Sequence, residues 1–542
     1  MRATRWWETA AVYQVYPRSF GDADGDGVGD LEGIRQHLDY LEWLGVDALW
    51  ISPYYRSPMK DFGYDVADYT DVDPLFGDLA AFDRLLADAH ARRLRLIVDF
   101  VPNHTSDQHP WFVESRASRT SSKRDWYVWR DPKADGSPPN NWISVFGGSA
   151  WAWDEKTGQY YLHSFLAEQP DLDWRNPQVK AAMFGVLRFW LERGVDGFRI
   201  DVAQFVAKDP ALRDNPPNPH PERMRHMGDW SKQLHLYDHG HPDLHGIYRE
   251  FRALLDSYPG DRVSIGELHH EQFEVWAGYY GQNLDEIHLP FNFHLLFSNW
   301  DATSVRCVVD AIEAALPAGA WPNWVLGNHD QPRLVSRVGE GQARVAMMLL
   351  LTLRGTPTIY YGDELGLPNA VIPPDQVRDP WGLVEPSQGR DRARSPMPWD
   401  GTPNGGFTAL GTEPWLPLAP GHETVNVAAQ RDDPGSMLAM TRRLIRLRRA
   451  HPALRDGLHR TVDGTPEGTF CFLRSPDGDS AGPSVLVALN LTAEPRWLAL
   501  RLGSARVLEA THPGRLGATV DTGALELRPD EGFVLEVSDR LS

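Results

Sequence analysis

The chain has few cysteines, and their positions form no recognisable site. Cys307 and Cys471 are the two cysteines among 542 residues, and they lie far apart in the sequence. This spacing argues against a disulfide framework and against a cysteine-based metal or redox motif. We therefore expect both residues to be buried free thiols.

Long apolar runs and an excess of basic side chains are also lacking. The longest apolar run, Met347 to Leu353, is far too short to cross a bilayer, and residues 1–7 do not begin an apolar leader. With 54 Lys and Arg against 74 Asp and Glu, the formal net charge is −20, which disfavours nucleic acids and anionic membranes as partners. We expect a soluble protein with a cytoplasmic location.

What the sequence does contain is a repeated alternation of short apolar runs with helix-like segments. Eight such units lie between residues 11 and 361, with one loop-rich interruption after the third. No glycine-rich phosphate-binding turn follows the first run, so the pattern favours a closed barrel over an open doubly wound sheet and gives no sign of an organic cofactor. We predict an α/β fold: a (β/α)8 TIM barrel at 1–103 and 174–456, a small inserted domain at 104–173, and a C-terminal antiparallel β-sandwich domain at 457–542.

Several of the apolar runs end in acidic side chains. Gly197–Asp201, Ser264–Glu267 and Val325–Asp330 each finish in a carboxylate, and Leu96–His104 contains Asp99. The carboxyl ends of parallel strands meet on one face of a barrel, so we expect these side chains to share a cleft. Two carboxyl groups in one cleft are what cleavage of a glycosidic bond requires.

The sequence neighbours of two acids suggest different roles. Arg199 precedes Asp201 by two residues on the same face of a strand, so it can hold Asp201 ionised as a nucleophile. Glu267 has no cation close to it in the sequence, and a less stabilised carboxyl keeps its proton better, which suits a general acid/base. Taken singly, either acid could be an ordinary strand-end residue, and the joint pattern is what indicates catalysis.

The acidic run between residues 22 and 30 is the best metal candidate. Its residues match the first part of an EF-hand-type calcium loop, although the bidentate glutamate at position twelve is replaced by Gly33. We expect a Ca²⁺ or Mg²⁺ site completed by water; the alternative is a turn in which Asp30 caps a helix. The candidate ligands are Asp22, Asp24, Asp26, the carbonyl of Val28, and Asp30.

Five segments together resemble one enzyme family. Residues 99–104, 197–203, 266–268 and 328–330 are similar, in order, to the four signature regions of the α-amylase superfamily, and 169–174 is similar to the additional signature at the end of that family's inserted domain. The resemblance covers essentially the whole chain. It implies a retaining mechanism with Asp201 as nucleophile, Glu267 as general acid/base and Asp330 as a third acid that binds sugar hydroxyls, and any metal ion would be structural.

The resemblance also implies how the innermost glucosyl unit is held. Arg199, His104 and His329 would bind it, Tyr64 would offer a stacking face, and Asp65 would grip the non-reducing end.

Two further residues are assigned less narrowly. In the exo-acting α-glucosidase and oligo-1,6-glucosidase branch, which the stretch 63–65 resembles, an arginine pairs with such a carboxylate; we favour Arg394 over Arg390, with surface salt bridging as the alternative for either. Phe165 is either a second aromatic wall of the site or a core residue of the inserted domain.

Together these features predict a retaining, exo-acting α-glucosidase that acts on short oligosaccharides or disaccharides. Val202 directly follows the expected nucleophile, and in this it is similar to enzymes of the same branch that prefer α-1,6 bonds. We therefore slightly favour α-1,6 over α-1,4 bonds. The alternatives are a transglucosylase or isomerase of the same family, of the sucrose isomerase or trehalose synthase type, and a catalytically inactive sugar-binding barrel. Monomer and small homo-oligomer both stay open.

Overall fold

The computed structural model describes residues 4–477 and 482–537, without the side chains of residues 223–226. Its largest sheet has eight strands, and each overlaps one of the predicted apolar runs. These strands are β1 (Val12–Val15), β2 (Ala48–Ile51), β3 (Arg95–Phe100), β4 (Gly197–Ile200), β5 (Val263–Gly266), β6 (Leu289–Pro290), β7 (Asn323–Val325) and β8 (Thr356–Tyr360).

The eight strands form a parallel barrel. Their order is β6-β5-β4-β3-β2-β1-β8-β7, and every pairing along it is parallel. The two outermost strands come together through their side chains, because Leu289 of β6 and Val325 of β7 belong to one buried cluster. The TIM-barrel prediction is confirmed, and the strand ends that carry the acids lie on one face.

Helices follow most of the strands and cover the barrel. The helical segment from Leu31 to Leu44 divides into two helices at His37. The His37 ring stacks on Trp399 with centroids 3.6 Å apart, and its Nδ1 lies 2.7 Å from the Gly33 carbonyl. The main helices are Leu31–Gln36, Leu38–Leu44, Leu79–Ala91, Pro177–Arg193, Asp243–Asp256, Phe273–Gly278, Ala302–Ala315, Glu340–Thr352 and Met437–Ala450.

The segment between β3 and the helix Pro177–Arg193 forms a small unit of its own. It contains the helix Pro110–Ala117 and a three-stranded antiparallel sheet of Trp129–Arg130, Gln159–Leu162 and Trp151–Asp154. Isolated bridges pair His104 with Asp171 at the base of this unit. The unit is therefore fixed beside the carboxyl ends of the barrel strands.

The C-terminal part is an antiparallel two-sheet structure. A six-stranded sheet is covered on one face by a two-stranded sheet, and Leu498 and Leu525 of the small sheet share a buried cluster with Leu486 and Phe533 of the large one. The other face of the large sheet joins the core that surrounds the barrel. The strands are β9 (Leu458–Thr461), β10 (Thr469–Ser475), β11 (Ser484–Asn490), β12 (Arg496–Leu498), β13 (Ser504–Ala510), β14 (Thr519–Asp521), β15 (Leu525–Leu527) and β16 (Gly532–Val537).

Two expectations about composition can be checked here. Both cysteines are free, and Cys471 is buried, but Cys307 is exposed on the helix Ala302–Ala315, so the expectation that both are buried was wrong. A helix packs only one face against the core, and Cys307 lies on the other. Within the described residues, no helix combines the length and apolar character needed to span a membrane.

Candidate active site

A cleft opens where the strands of the barrel end. It encloses about 760 Å³ and is lined by the three predicted acids, Asp201, Glu267 and Asp330. Asp201 directly follows β4, Glu267 follows β5, and Asp330 lies five residues beyond β7. The parallel strands thus bring together carboxylates that are far apart in sequence, as expected.

Arg199 is the centre of the charge network in this cleft. It lies on β4 opposite Asp99 of β3, and its Nη1 donates to Asp99 Oδ1 at 2.8 Å and to Asp201 Oδ1 at 2.7 Å. Its Nη2 lies 2.7 Å from Glu267 Oε2, and His269 Nε2 lies 3.1 Å from Glu267 Oε1. The expectation that Glu267 lacks a neighbouring cation was therefore wrong, because sequence distance does not measure the distance between adjacent strands.

This sharing of Arg199 sets the protonation of the two carboxyl groups in the free protein. Burial raises the pKa of Asp201 well above its usual value, against the opposing influence of Arg199. Burial also acts to raise the pKa of Glu267, but Arg199 and His269 outweigh it and lower that pKa to about 2. The pKa of Asp201 is therefore above that of Glu267, which is the reverse of the order expected from the sequence.

Val202 holds the two acids together through its backbone. Its φ of 36° is in the left-handed region, which a β-branched residue rarely adopts. The Val202 backbone N–H donates to Glu267 Oε2 at 2.9 Å. The side chain borders the cleft directly after Asp201.

Asp330 lies where two arginines and a histidine come together. Arg394 Nη2 lies 2.8 Å and Arg390 Nη1 3.2 Å from its Oδ1, and His329 Nε2 lies 3.2 Å from its Oδ2. Burial acts to raise the pKa of Asp330, but these neighbours lower it below its usual value. Asp330 is therefore held as an anion that can accept hydrogen bonds from hydroxyl groups.

Tyr64 and two histidines, His104 and His329, lie together at the cleft. The Tyr64 and His329 rings stack with centroids 5.4 Å apart, and the Tyr64 hydroxyl lies 2.8 Å from His329 Nε2. Burial lowers the pKa of His329 to about 3 and that of His104 to about 4, so both rings are neutral near pH 7. Tyr64 and His104 line the cleft, while His329 is placed behind them.

Phe165 contributes to the wall on the side of the inserted domain. Its ring centroid lies 5.2 Å from that of His104 and 5.3 Å from that of Phe205. It borders the cleft together with Phe146, so of the two readings left open by the sequence the structure favours the aromatic wall.

Asp65 does not face the cleft, and this corrects the sequence-based assignment. It is fully buried, and its carboxylate accepts hydrogen bonds from the Ser57 hydroxyl at 2.8 Å and from the backbone N–H groups of Lys60 and Asp61 at 2.8 and 2.9 Å. Burial raises its pKa to about 6. The acid that lines the cleft is Asp61, which receives hydrogen bonds from Arg390 Nη2 at 2.7 Å and from Gln169 Nε2 at 3.2 Å.

The arginine that reaches this acid is Arg390. Its Nη2 also donates to Asp379 at 2.7 Å, and it lines the cleft. Arg394 instead donates from Nε to the His329 carbonyl at 2.8 Å and contacts Asp330. The preference for Arg394 as the partner of the end-closing acid is thus corrected, and both arginine side chains are buried rather than on the surface.

Three of the five predicted metal ligands come together in the loop between Phe20 and Leu31. Oxygens of Asp22, Asp24 and Asp30 lie within 4.8 Å of one another. Asp26 is outside that group, and its Oδ1 accepts from the Val28 backbone N–H at 2.8 Å. Asp30 also caps the following helix by accepting from the Gly33 backbone N–H at 2.6 Å, as the alternative reading expects. Burial raises the pKa of Asp24 and Asp30, and a group of clustered carboxylates fits a hard divalent cation.

Several lining residues were not found from the sequence. Asp61 lies four residues before the chosen acid, Asp65. Gln169, which donates to Asp61 but does not itself line the cleft, was part of a recognised signature without being singled out. The others are Val145, Phe146, Gln204, Phe205, Met227, Trp230, His269, Asn328 and Gln331. Most of these lie on loops, where no periodic pattern indicates which side chains face the cleft.

Comparisons with known proteins agree with this geometry. A family model described as the alpha amylase catalytic domain matches residues 14–457. The chain is 46% identical over 486 residues to "Probable alpha-glucosidase" of Rhizobium meliloti (strain 1021), with 87% of each covered. It is 38% identical over 530 residues to "Oligo-1,6-glucosidase" of Heyndrickxia coagulans, covering 90% of this chain and 92% of that one. A crystal structure of the alpha-glucosyl transfer enzyme XgtA has a TM-score of 0.92 and 44% identity, covering 99% of this chain and 100% of that one.

Proposed function

Because this chain belongs to the α-amylase family of glycoside hydrolases, we propose that it is a retaining, exo-acting α-glucosidase that releases glucose from short α-glucosides. The observation that supports this best is the closed end of the cleft. Asp61 and Arg390 both line the cleft and are paired with each other, and Gln169 donates to Asp61. We infer that this pair closes the cleft beyond the non-reducing end of a bound glucosyl unit. A glucosyl unit bound there leaves no room for further sugars beyond its non-reducing end.

In the first proposed step, a carboxylate oxygen of Asp201 attacks the anomeric carbon. The bond from that carbon to the leaving oxygen breaks, and Glu267 gives its proton to the leaving oxygen. In the second step, Glu267 takes a proton from water, the water oxygen attacks the same carbon, and Asp201 is released. Two displacements restore the α configuration.

The acid role of Glu267 requires a change from the arrangement of the free protein. With Arg199 and His269 beside it, Glu267 is ionised. A sugar ring that enters between Glu267 and Arg199 would break this ion pair and return the pKa of Glu267 toward the higher value that burial alone favours. Arg199 would then keep its contacts to Asp201 and Asp99 and lose the one to Glu267, which is the division of roles that the chemistry needs.

The remaining residues suit binding of the glucosyl unit. Asp330 is an anion positioned for hydroxyl groups, Tyr64 offers a flat face, and neutral His104 can donate a hydrogen bond. Phe165 supplies a second apolar wall. Arg199 orients the nucleophile, and His329 and Arg394 position Tyr64 and Asp330.

Some finer points remain part of the proposal. We favour α-1,6 slightly over α-1,4 bonds on the strength of Val202. Asp22, Asp24 and Asp30 would hold a Ca²⁺ or Mg²⁺ ion that stabilises the loop and supplies no chemistry to the reaction. A cytoplasmic location and a monomer or small homo-oligomer are expected, and fractionation and light scattering would test them.

Transfer of glucose to another acceptor is the second candidate. The similarity to a protein described as an alpha-glucosyl transfer enzyme favours it, because water and other hydroxyl groups compete for the same glucosyl intermediate.

A product assay tests both candidates. We expect maltose and isomaltose to give free glucose. With 4-nitrophenyl α-glucoside, whose leaving group is not a sugar, the glucose should appear first as the α-anomer in proton NMR. Asp201→Asn should lower kcat about 10⁴-fold or more while the melting temperature is retained. First appearance of the β-anomer contradicts a retaining mechanism, and glucosyl-acceptor products without free glucose contradict hydrolysis.

A further inference from the structure

The cleft continues into a second, wider groove. This groove encloses about 1710 Å³, and it shares the residues Met227, Trp230, His269 and Gln331 with the cleft. Asp201, Glu267 and Asp330 line the cleft but not the groove. The shared residues therefore form the passage between the two spaces.

The groove leaves the cleft beside the general acid. Its wall begins with Leu268, His269 and His270, which directly follow Glu267 in the chain. Asp61 and Arg390, which close the opposite end of the cleft, do not border the groove. Since Glu267 must stand at the oxygen between the glucosyl unit and its leaving group, the groove lies on the leaving-group side.

Trp230 is the largest side chain in the passage. It is 4% exposed and borders both spaces. The indole packs in one apolar cluster with Val202, Phe165 and Phe205, so it is continuous with the wall of the glucose site.

The Trp230 indole is held in place by His235, which in turn contacts Asp238. The His235 ring stacks on the Trp230 ring with centroids 3.4 Å apart and an angle of 7°. His235 Nδ1 lies 2.5 Å from Asp238 Oδ2, and its Nε2 lies 2.6 Å from the Trp230 carbonyl. Both nitrogens of His235 are therefore engaged, which fixes the ring and, through it, the indole.

Further aromatic rings continue outward from the acid. His269, which contacts Glu267, stacks on Phe293 with centroids 4.7 Å apart, and Phe293 is 6.1 Å from Phe297. Phe293 and Phe297 line the groove, so flat apolar faces continue beyond the passage, which suits a ring with an apolar face.

Resting on the function proposed above, we propose that Trp230 is the specificity-determining platform for the ring attached to the scissile oxygen, whether that ring is a sugar or an aryl group. His235 and Asp238 are its positioning residues. The platform binds the leaving group during glycosylation and the acceptor during transfer.

The test compares substrates that differ in their leaving group. Maltose and 4-nitrophenyl α-glucoside place a ring in the passage, whereas the leaving group of α-glucosyl fluoride is a single atom that cannot reach Trp230. We expect Trp230→Ala to lower kcat/KM for both ring substrates about tenfold and to leave α-glucosyl fluoride within about twofold of the wild type. Trp230→Phe should retain most of the activity, and a loss confined to maltose or to the nitrophenyl substrate identifies which ring the platform serves.

Three controls make the result decisive. Trp497 is 60% exposed in the C-terminal domain, and Trp497→Ala should leave kcat/KM unchanged for all three substrates. His235→Ala, which leaves the indole but removes its brace, should reproduce the selective loss more weakly, and it decides the question if Trp230→Ala does not fold. Equal losses for ring substrates and fluoride, or no loss at all, overturn the platform. A wild type that cleaves none of these α-glucosides overturns the proposed function itself.

Discussion

Asp61 and Asp65 are the same residue type four positions apart, and the structure predicts opposite consequences for replacing them. Asp61 lines the cleft and pairs with Arg390, whereas Asp65 is buried behind the loop and accepts three hydrogen bonds from it. Asp61→Asn should therefore impair substrate binding, and Asp65→Asn should mainly impair stability.

The expected size follows from the hydrogen bonds. If Asp61 accepts two hydroxyl groups of the terminal glucose, each charge-assisted bond contributes about 1.5 to 3 kcal/mol, or about 3 to 6 kcal/mol together. Arg390 keeps Asp379 and Asp330 as partners, and the burial cost of Asp61 is relieved. We therefore expect the lower end of the range, a loss of about 10²-fold in kcat/KM.

For Asp65→Asn, the amide keeps one accepting oxygen but presents a donor to a backbone N–H. An unmet buried donor costs about 1 to 3 kcal/mol, which should lower the melting temperature and change kcat/KM only a few-fold. The assay is kcat/KM on maltose together with thermal unfolding for both variants and the wild type. A larger loss of kcat/KM in Asp65→Asn than in Asp61→Asn would refute the assignment of the end-closing acid.

Two further predictions concern protons and the metal. Burial raises the pKa of Asp201, which must be ionised to attack, so the acidic limb of kcat/KM should lie above the usual aspartate value of about 3.9; full activity at pH 4 would contradict this. Addition of Ca²⁺ to chelator-treated protein should raise the melting temperature. At a free Ca²⁺ concentration of a hundred times the dissociation constant, binding adds about 2.7 kcal/mol to the free energy of unfolding. Asp24→Asn should abolish that gain and Asp26→Asn should keep most of it; equal gains in both variants would contradict the ligand set.

The barrel could be predicted from the sequence because each strand and helix is indicated by a pattern within its own stretch of the chain. The strands are short apolar runs buried on both faces, and the helices begin at side-chain caps such as Asp78, Asn176 and Ser436. Parallel strands then place their carboxyl ends together, so the convergence of Asp201 and Glu267 followed from the topology alone.

Positions outside the strands were less predictable. Asp61 and Asp65 flank Tyr64 on one loop, and which of them faces the cleft depends on the path of the backbone. In this loop both Met59 and Phe62 adopt positive φ angles, 63° and 51°. A non-glycine residue rarely takes this conformation, so neither turn could be read from residue type.

Contacts between strands were the other limit, and Arg199 shows why they matter most. The register of β3 and β4 places Arg199 opposite Asp99, and the next strand brings Glu267 to its second nitrogen. One guanidinium therefore serves three carboxylates in the free protein. Arg199 carries one positive charge and cannot neutralise all three carboxylates. We therefore expect one of its three contacts to be lost when a sugar binds. Loss of the contact to Glu267 is the change that leaves Asp201 charged as the nucleophile and Glu267 protonated as the acid. The substrate itself would thus assign the two roles.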